Sequence, residues 1–298
     1  MMSARFLTVV LERAFNMRDG FGREIDYMRI SVIDSCNLNC YYCNPCDNNE
    51  HCHALNILSV KEVLCIVRAA TRLGIKHFRL TGGEPLLHPQ LDEMVLQIKK
   101  IPGVSSVSLT TNAVLLAQHA KWLKEAGIDS INVSLDTIDA SEYERITKKP
   151  LLEEVKHGIN AAIECGIRVK INVVLTPQTD VVALTRYVAK KGTDIRFIEM
   201  MPVGEGHTNG VEPYKKVIGT LSKLYGEPCR INTEKTKEIN SGNDKRKIPD
   251  NGPAEYYIFP ELGIRVGLIQ AIHGKFCDTC NRIRGMADGR LMPCLESS

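Results

Sequence analysis

From residue 26 onward, short β-branched apolar runs alternate with amphipathic stretches of helical period. The runs predict strands over 26–34, 77–81, 104–111, 130–135, 167–175 and 194–199. Between them the pattern predicts a helix opening at Ser59 and further helices over 90–101, 114–126, 152–165 and 180–191. Ser59 followed three residues later by Glu62 is a capping box. Gly127 and Gly166 stand where helices end. The strands are rich enough in apolar residues to be buried on both faces. Before residue 26 the pattern suggests a short helix and a loop. After about residue 203 the alternation stops. A helical stretch from Tyr214 to Tyr225, a polar, charged stretch from Asn232 to Asn251 expected to be mobile, and strand-like runs over 256–259 and 264–269 follow.

About six strand–helix units imply an α/β fold with a parallel sheet and right-handed crossovers. Six units are too few for a closed eight-unit barrel, so the expectation is a partial (β/α)6 TIM-type barrel over residues 1–205. A C-terminal extension over 206–298 would follow it. Sites in such folds lie at the C-terminal ends of strands. The loop from Cys36 to Cys52, then Gly82-Gly83-Glu84-Pro85, Thr110-Thr111-Asn112, Ser134 and Asp136 all fall there. Lys170 and Arg196 join them if their side chains face inward.

Composition narrows the chemistry. The 298 residues are 44% apolar and 24% charged, as in ordinary globular proteins. A net charge of +3 argues for neither nucleic acid nor a membrane surface. No apolar run is long enough to cross a bilayer. The N-terminal apolar stretch is interrupted by Glu12 and Arg13, so a cytoplasmic protein is expected. Eleven cysteines in such a chain point to metal or redox chemistry rather than a disulfide frame.

The cysteines fall into two sets. Cys36, Cys40 and Cys43 have CxxxCxxC spacing directly after the first predicted strand. Three thiolates suit a cubane iron–sulfur cluster with one iron left open for a chelating ligand; from spacing alone a zinc site fits as well. Cys277 and Cys280 form a CxxC pair, and thirteen residues separate Cys280 from Cys294. That set fits a cluster, a redox pair, or zinc with His273 as a fourth ligand. Arg282 and Arg284 would point the same way on a strand, as surface residues or as a fork for phosphate or carboxylate. Cys46, Cys52, His51 and His53 in the first cysteine loop read as loop residues or as further ligands.

CxxxCxxC after the first strand, with Tyr42 before the last cysteine, resembles the radical S-adenosylmethionine (SAM) superfamily. Arg29-Ile30-Ser31-Val32, Arg79 through Pro85, Thr110-Thr111-Asn112, Asn132 through Asp136, Arg196 through Pro202 and Phe276 through Arg284 extend the likeness over residues 25–298 to the GTP 3′,8-cyclase family, molybdenum-cofactor biosynthesis protein A. The resemblance implies two [4Fe-4S] clusters, held by Cys36, Cys40, Cys43 and by Cys277, Cys280, Cys294. It implies SAM bound by Gly83, Glu84, Thr111 and Ser134. It places Arg29, Arg79, Lys170, Arg196, Arg282 and Arg284 on the GTP substrate, with Arg29, Lys170, Arg282 and Arg284 serving catalysis. It also implies an electron donor protein, a downstream enzyme that forms cyclic pyranopterin, and a homodimer.

Three positions differ from the family pattern. Asn44-Pro45 and an added Cys46 replace a Met-Pro, His77 replaces a common lysine, and the sequence closes on Leu295-Glu296-Ser297-Ser298 where the family carries a Gly-Gly tail. Two other readings compete: a paralogous radical SAM enzyme acting on another nucleotide or a peptide, and a non-catalytic zinc or iron–sulfur protein.

Overall fold

The structure, a computed structural model, describes residues 17–43, 56–202, 211–231 and 252–294. The helix expected near the N-terminus, Asn44 to Cys52 with His53, the stretch 232–251 and the last four residues lie wholly or mostly outside them.

Six parallel strands run side by side in chain order: β1 (Tyr27–Ser31), β2 (His77–Thr81), β3 (Ser106–Thr111), β4 (Ser130–Ser134), β5 (Val169–Val174) and β6 (Asp194–Ile198). The crossovers carry α1 (Val60–Arg72), α2 (Leu91–Lys99), α3 (Leu116–Glu125), α4 (Ala140–Thr147), α5 (Leu152–Glu164) and α6 (Val181–Lys190). The capping box forms at α1: Ser59 Oγ accepts from Glu62 N–H, and the Glu62 carboxylate accepts from Ser59 N–H. The expected barrel-type sheet is therefore present, with most boundaries within two residues of the pattern.

The chain beyond residue 205 joins the same sheet on both of its edges. After a wide helical turn (Tyr214–Ile218) and α7 (Gly219–Tyr225) come β7 (Cys229–Ile231), β8 (Glu255–Ile258) and β9 (Arg265–Ile269). β9 pairs parallel to β6, with β8 and β7 antiparallel beyond it. β10 (Arg282–Gly285) pairs parallel to β1 at the other edge, and β11 (Leu291–Met292) folds back against β10. Among the described residues the sheet thus has eleven strands, in the order β11-β10-β1-β2-β3-β4-β5-β6-β9-β8-β7. No helix among the described residues is long and apolar enough to cross a membrane.

The two faces of the sheet differ. Ile30, Phe78, Leu80, Val107, Leu109, Ile131, Val133, Ile171, Val173, Ile195 and Phe197 are at most 1% exposed. They form one face, packed on the apolar stripes of the helices, such as Val63 and Val67 of α1 and Leu116 and Leu123 of α3. Alternate positions point the other way. There the register aligns Arg284 with Arg29, Arg29 with Arg79 and Arg79 with Ser108. It also aligns Thr110 with Asn132, Asn132 with Lys170, and Asn172 with Arg196. The sequence pattern suggested apolar burial on both faces; the second face is buried but polar. Ser108, Asn132, Lys170 and Arg196 are at most 7% exposed there.

Helix α4 escaped the sequence reading. It starts on an Asp139 cap, whose carboxylate accepts from Glu142 N–H, and ends at Lys148 in the left-handed region. At eight residues it carries only a short apolar stripe, so periodicity barely registers it. Its last carbonyls, Ile146 and Thr147, accept from the N–H groups of Tyr41 and Asn39 in the cysteine loop.

Candidate functional site

The first cysteine loop leaves the C-terminal end of β1 on a stem that continues the sheet. Val32 N–H reaches Thr81 O, Gly83 N–H reaches Ile33 O, and Glu84 N–H reaches Ser35 O, each at 2.8–2.9 Å. This approach is why two glycines stand at 82 and 83. A Cβ on Gly82 would lie 2.3 Å from Ile33 O, and one on Gly83 would lie 2.1 Å from Ser35 O. Glu84 then locks the turn. Its carboxylate accepts from Leu86 N–H, Thr111 Oγ1 and Asn112 N–H at 2.7–3.0 Å, and it is 1% exposed. Burial raises its pKa, and those three donors oppose the rise.

The three thiols of the loop share one environment. Burial raises all three, and Cys40 is pushed up to about 12 by burial, then by Asp136, Cys43 and Cys36. Two N–H groups, from Leu38 and from the Asn112 side chain, point at Cys36 Sγ. Tyr42 donates to the Asp136 carboxylate, which also accepts from Val174 N–H. The loop is therefore pinned at β1, β2, α4 and the end of β4. Thiols held neutral by burial become ligands when iron supplies the positive charge. Three thiols within reach of one another, partly open to solvent, fit a cluster with one open iron.

The inner face of the sheet gathers the predicted cations. Arg29 is surrounded by like charge: burial, then Arg284, Arg79 and Arg282, push its pKa well down. A guanidinium remains charged under such pressure, and the cluster of like charges favours an anion here. Arg79 Nε donates to Ser108 Oγ at 3.0 Å, and Arg79 and Arg282 both lie over the Tyr27 ring. Across the sheet, Lys170 lies over Tyr256, and Arg196 Nε donates to Asn172 Oδ1 at 2.9 Å. Gly267 makes room for Arg196, since a Cβ there would meet Arg196 Cγ at 2.8 Å. All six predicted basic residues thus share one face. His77 shares it too, bonded through Nδ1 to Ser106 Oγ at 2.8 Å.

The residues expected to line a SAM pocket separate into two kinds. Ser134 is exposed at the end of β4, on the inner face. Thr111 is turned the other way: its hydroxyl donates to Glu84 and accepts from Ala113 N–H. Thr110, one residue earlier, faces inward beside Asn132. Strand parity relative to Ser108 sets Thr110, rather than Thr111, on the inner face.

The second cysteine set lies at the other end of the strands. Cys277 and Cys280 precede β10, which runs alongside β1 with Arg282 opposite Tyr27. Cys294 follows β11, which returns toward the start of β10. Burial and Arg282 lower the pKa of Arg284, while Cys294 and Cys280 raise it, so this set lies within electrostatic reach of the arginines. Arg23 donates to Cys277 O at 2.7 Å. The strand β1, about 16 Å long at the usual rise per residue, therefore separates the two sets. His273 bonds through Nδ1 to Glu199, which also accepts from Ile272 and His273 N–H. No three Cys, His, Asp or Glu side chains among the described residues close round a single ion; thiolates bound to different irons of one cluster stand farther apart than ligands of one zinc.

Comparison with known proteins agrees with this geometry. The family described as the radical SAM superfamily matches residues 30–184, and the one described as Molybdenum Cofactor Synthesis C matches residues 193–298. The GTP 3′,8-cyclase of Clostridium perfringens (strain SM101 / Type A) is 36% identical over 283 residues, 94% of this chain and 83% of the relative. That of Pelotomaculum thermopropionicum is 38% identical over 286 residues, 94% and 84% of the two chains. Among solved structures, Streptococcus suis SuiB bound to S-adenosylmethionine superposes with a TM-score of 0.64 at 15% identity, covering 91% of this chain and 60% of that one. At that identity the likeness speaks for the fold. Together these matches place the chain in the radical SAM superfamily and, within it, in the GTP 3′,8-cyclase family.

Proposed function

We propose that this protein converts GTP to (8S)-3′,8-cyclo-7,8-dihydroguanosine 5′-triphosphate, the first step of molybdenum cofactor biosynthesis. The observation that carries the reading is the cationic inner face, with one three-cysteine set beyond each end of its strands. Polyphosphate needs the cations, and radical chemistry needs the ligand held at one distance from its source.

In this reading Cys36, Cys40 and Cys43 hold one [4Fe-4S] cluster and Cys277, Cys280 and Cys294 hold a second. When bound, the first cluster and SAM would supply one-electron radical chemistry that removes the ribose C3′ hydrogen; C3′ would then bond to C8 of guanine, and a second electron with a proton at N7 would complete the 7,8-dihydro product. The chain's own residues bind and orient. Ser134 and the Gly83 backbone line the SAM end. Glu84 and Thr111, engaged with each other, hold the wall of that pocket rather than the ligand itself. Arg29, Arg79, Arg282 and Arg284 take the phosphates from one side of the sheet, and Lys170 and Arg196 from the other. Cys277, Cys280 and Cys294 would hold the second cluster on the side of the sheet where an open iron could meet the purine. An electron donor protein supplies both electrons, one for SAM cleavage and one for the cyclised purine, and the product passes to an enzyme that forms cyclic pyranopterin. We place the reaction in the cytoplasm, with a homodimer as the working unit.

The test is anaerobic. The protein reconstituted with iron and sulfide is given SAM, dithionite and GTP, and products are identified by mass. 5′-Deoxyadenosine together with cyclised GTP supports the reading. Deoxyadenosine without a GTP product favours another nucleotide or a peptide as substrate. Neither product points to a non-catalytic metal protein.

A further inference from the structure

Basic residues do not cover the inner face evenly. β10, β1 and β2 contribute Arg282, Arg284, Arg29 and Arg79; β5 and β6 contribute Lys170 and Arg196. Between these flanks β3 and β4 present only neutral polar side chains: Ser106, Ser108 and Thr110, then Ser130, Asn132 and Ser134. At the centre of this strip Asn132 is 1% exposed, with Thr110 and Lys170 as its register neighbours. Neither its Nδ2 nor its Oδ1 finds a hydrogen-bond partner among the described residues. A buried carboxamide with donor and acceptor both idle is costly. Ser108, on the same face of β3 one step before Thr110, by contrast accepts from Arg79 and donates to Phe78 O.

We propose that Asn132 is a substrate-positioning residue that recognises a ribose hydroxyl of the bound nucleotide. This inference rests on the cyclase reading. The charged parts of a nucleoside triphosphate belong to the cationic flanks, which leaves the neutral strip for an uncharged polar part. A hydroxyl both donates and accepts, and a carboxamide offers both complements side by side. A ribose held from the middle of the sheet would also lie between the two cysteine sets, with its C3′ position set by a short, rigid side chain on a central strand. Precise placement of this kind accounts for a large part of the rate of an oriented reaction.

The experiment uses the reconstituted holoenzyme and compares the parent with Asn132→Ala and Asn132→Ser. Binding of GTP, 2′-deoxy-GTP and 3′-deoxy-GTP is measured anaerobically, and thermal unfolding and SAM-dependent 5′-deoxyadenosine formation report whether the site is intact. The expected result is a roughly tenfold loss of GTP affinity in Asn132→Ala, with little or no further loss for one of the two deoxy-nucleotides, and partial recovery in Asn132→Ser. Unchanged GTP affinity, or equal losses for all three nucleotides, overturns the assignment while leaving the cyclase reading intact. A parent holoenzyme that binds no GTP overturns that reading and this inference together.

Discussion

Gly83 packs against Ser35 so closely that a Cβ on Gly83 would lie 2.1 Å from the Ser35 carbonyl oxygen. The same two segments are joined by the bond from Glu84 N–H to Ser35 O at 2.8 Å. Gly83→Ala must therefore push the cysteine loop away from β2, because the obstacle is backbone and cannot turn aside. Overpacking of this kind costs about 1–3 kcal/mol, which a sheet of this size survives. The expected outcome is a folded protein with a lowered melting temperature and at least tenfold slower 5′-deoxyadenosine formation. Normal SAM cleavage in Gly83→Ala would show that the loop stem is not what positions the cluster.

Arg29 illustrates a trade between stability and binding. Its neighbours Arg284, Arg79 and Arg282 carry like charge, and its Nε has no partner among the described residues. Without an anionic ligand this arrangement opposes folding; with one it becomes favourable. Arg29→Met removes a half-buried charge while keeping most of the volume. The variant is expected to melt about 2–4 °C higher than the parent in the absence of nucleotide, the shift that about 1 kcal/mol produces in a domain of this size. It is also expected to lose most of the thermal stabilisation by GTP or tripolyphosphate seen in the parent. A lower melting temperature without nucleotide would contradict the electrostatic account.

How far the site could be read in advance depended on the kind of signal. Cys36, Cys40 and Cys43 announce themselves by spacing, and the six strands by their apolar runs, because both are local in sequence. Lys170 and Arg196 were placed on strands, but their facing needed the register that sets them beside Asn132 and Asn172. Which of Thr110 and Thr111 faces inward turns on strand parity, which a single residue reverses. The location of the second cysteine set was not legible at all. It depends on β10 pairing with β1 across some 250 residues of chain, a contact that no local pattern encodes. The same holds for β9 against β6, which decides that the C-terminal region widens one sheet rather than building another.

His77 carries a pH dependence with a definite sign. Burial is the main cause of its lowered pKa; Asp26 opposes the shift and Lys76 adds to it. A histidine whose folded pKa lies below its unfolded value binds fewer protons when native. Its neutral form is accommodated in full above about pH 6.5, the ordinary value, and stability falls as the pH drops below that toward the folded pKa. His77→Gln, which can still meet Ser106, should unfold like the parent at pH 8 and be the more stable of the two near pH 5. Urea titrations at both pH values measure the difference. His77→Lys, on the same inward face as Arg79, should instead tighten triphosphate binding, read as a lower Kd for GTP.

Asp194 and Arg265 tie the C-terminal region to the barrel strands. Arg265 reaches both carboxylate oxygens of Asp194, its own N–H adds a third donor, and the two side chains are 16% and 7% exposed for arginine and aspartate respectively. Arg265 also lies over Tyr256, the ring that Lys170 approaches from the inner face. Removing one partner of such a pair leaves the other charge buried, a loss of about 3–5 kcal/mol. Asp194→Ala is expected to show that loss in urea unfolding, and to weaken GTP binding as well, because Lys170 is held through the same ring. The double variant Asp194→Leu with Arg265→Met replaces both charges and should recover most of the stability, since an apolar pair of similar volume avoids the desolvation cost. If the double variant is as unstable as Asp194→Ala, the pair is needed for more than charge compensation, and β9 depends on this ion pair for its place beside β6.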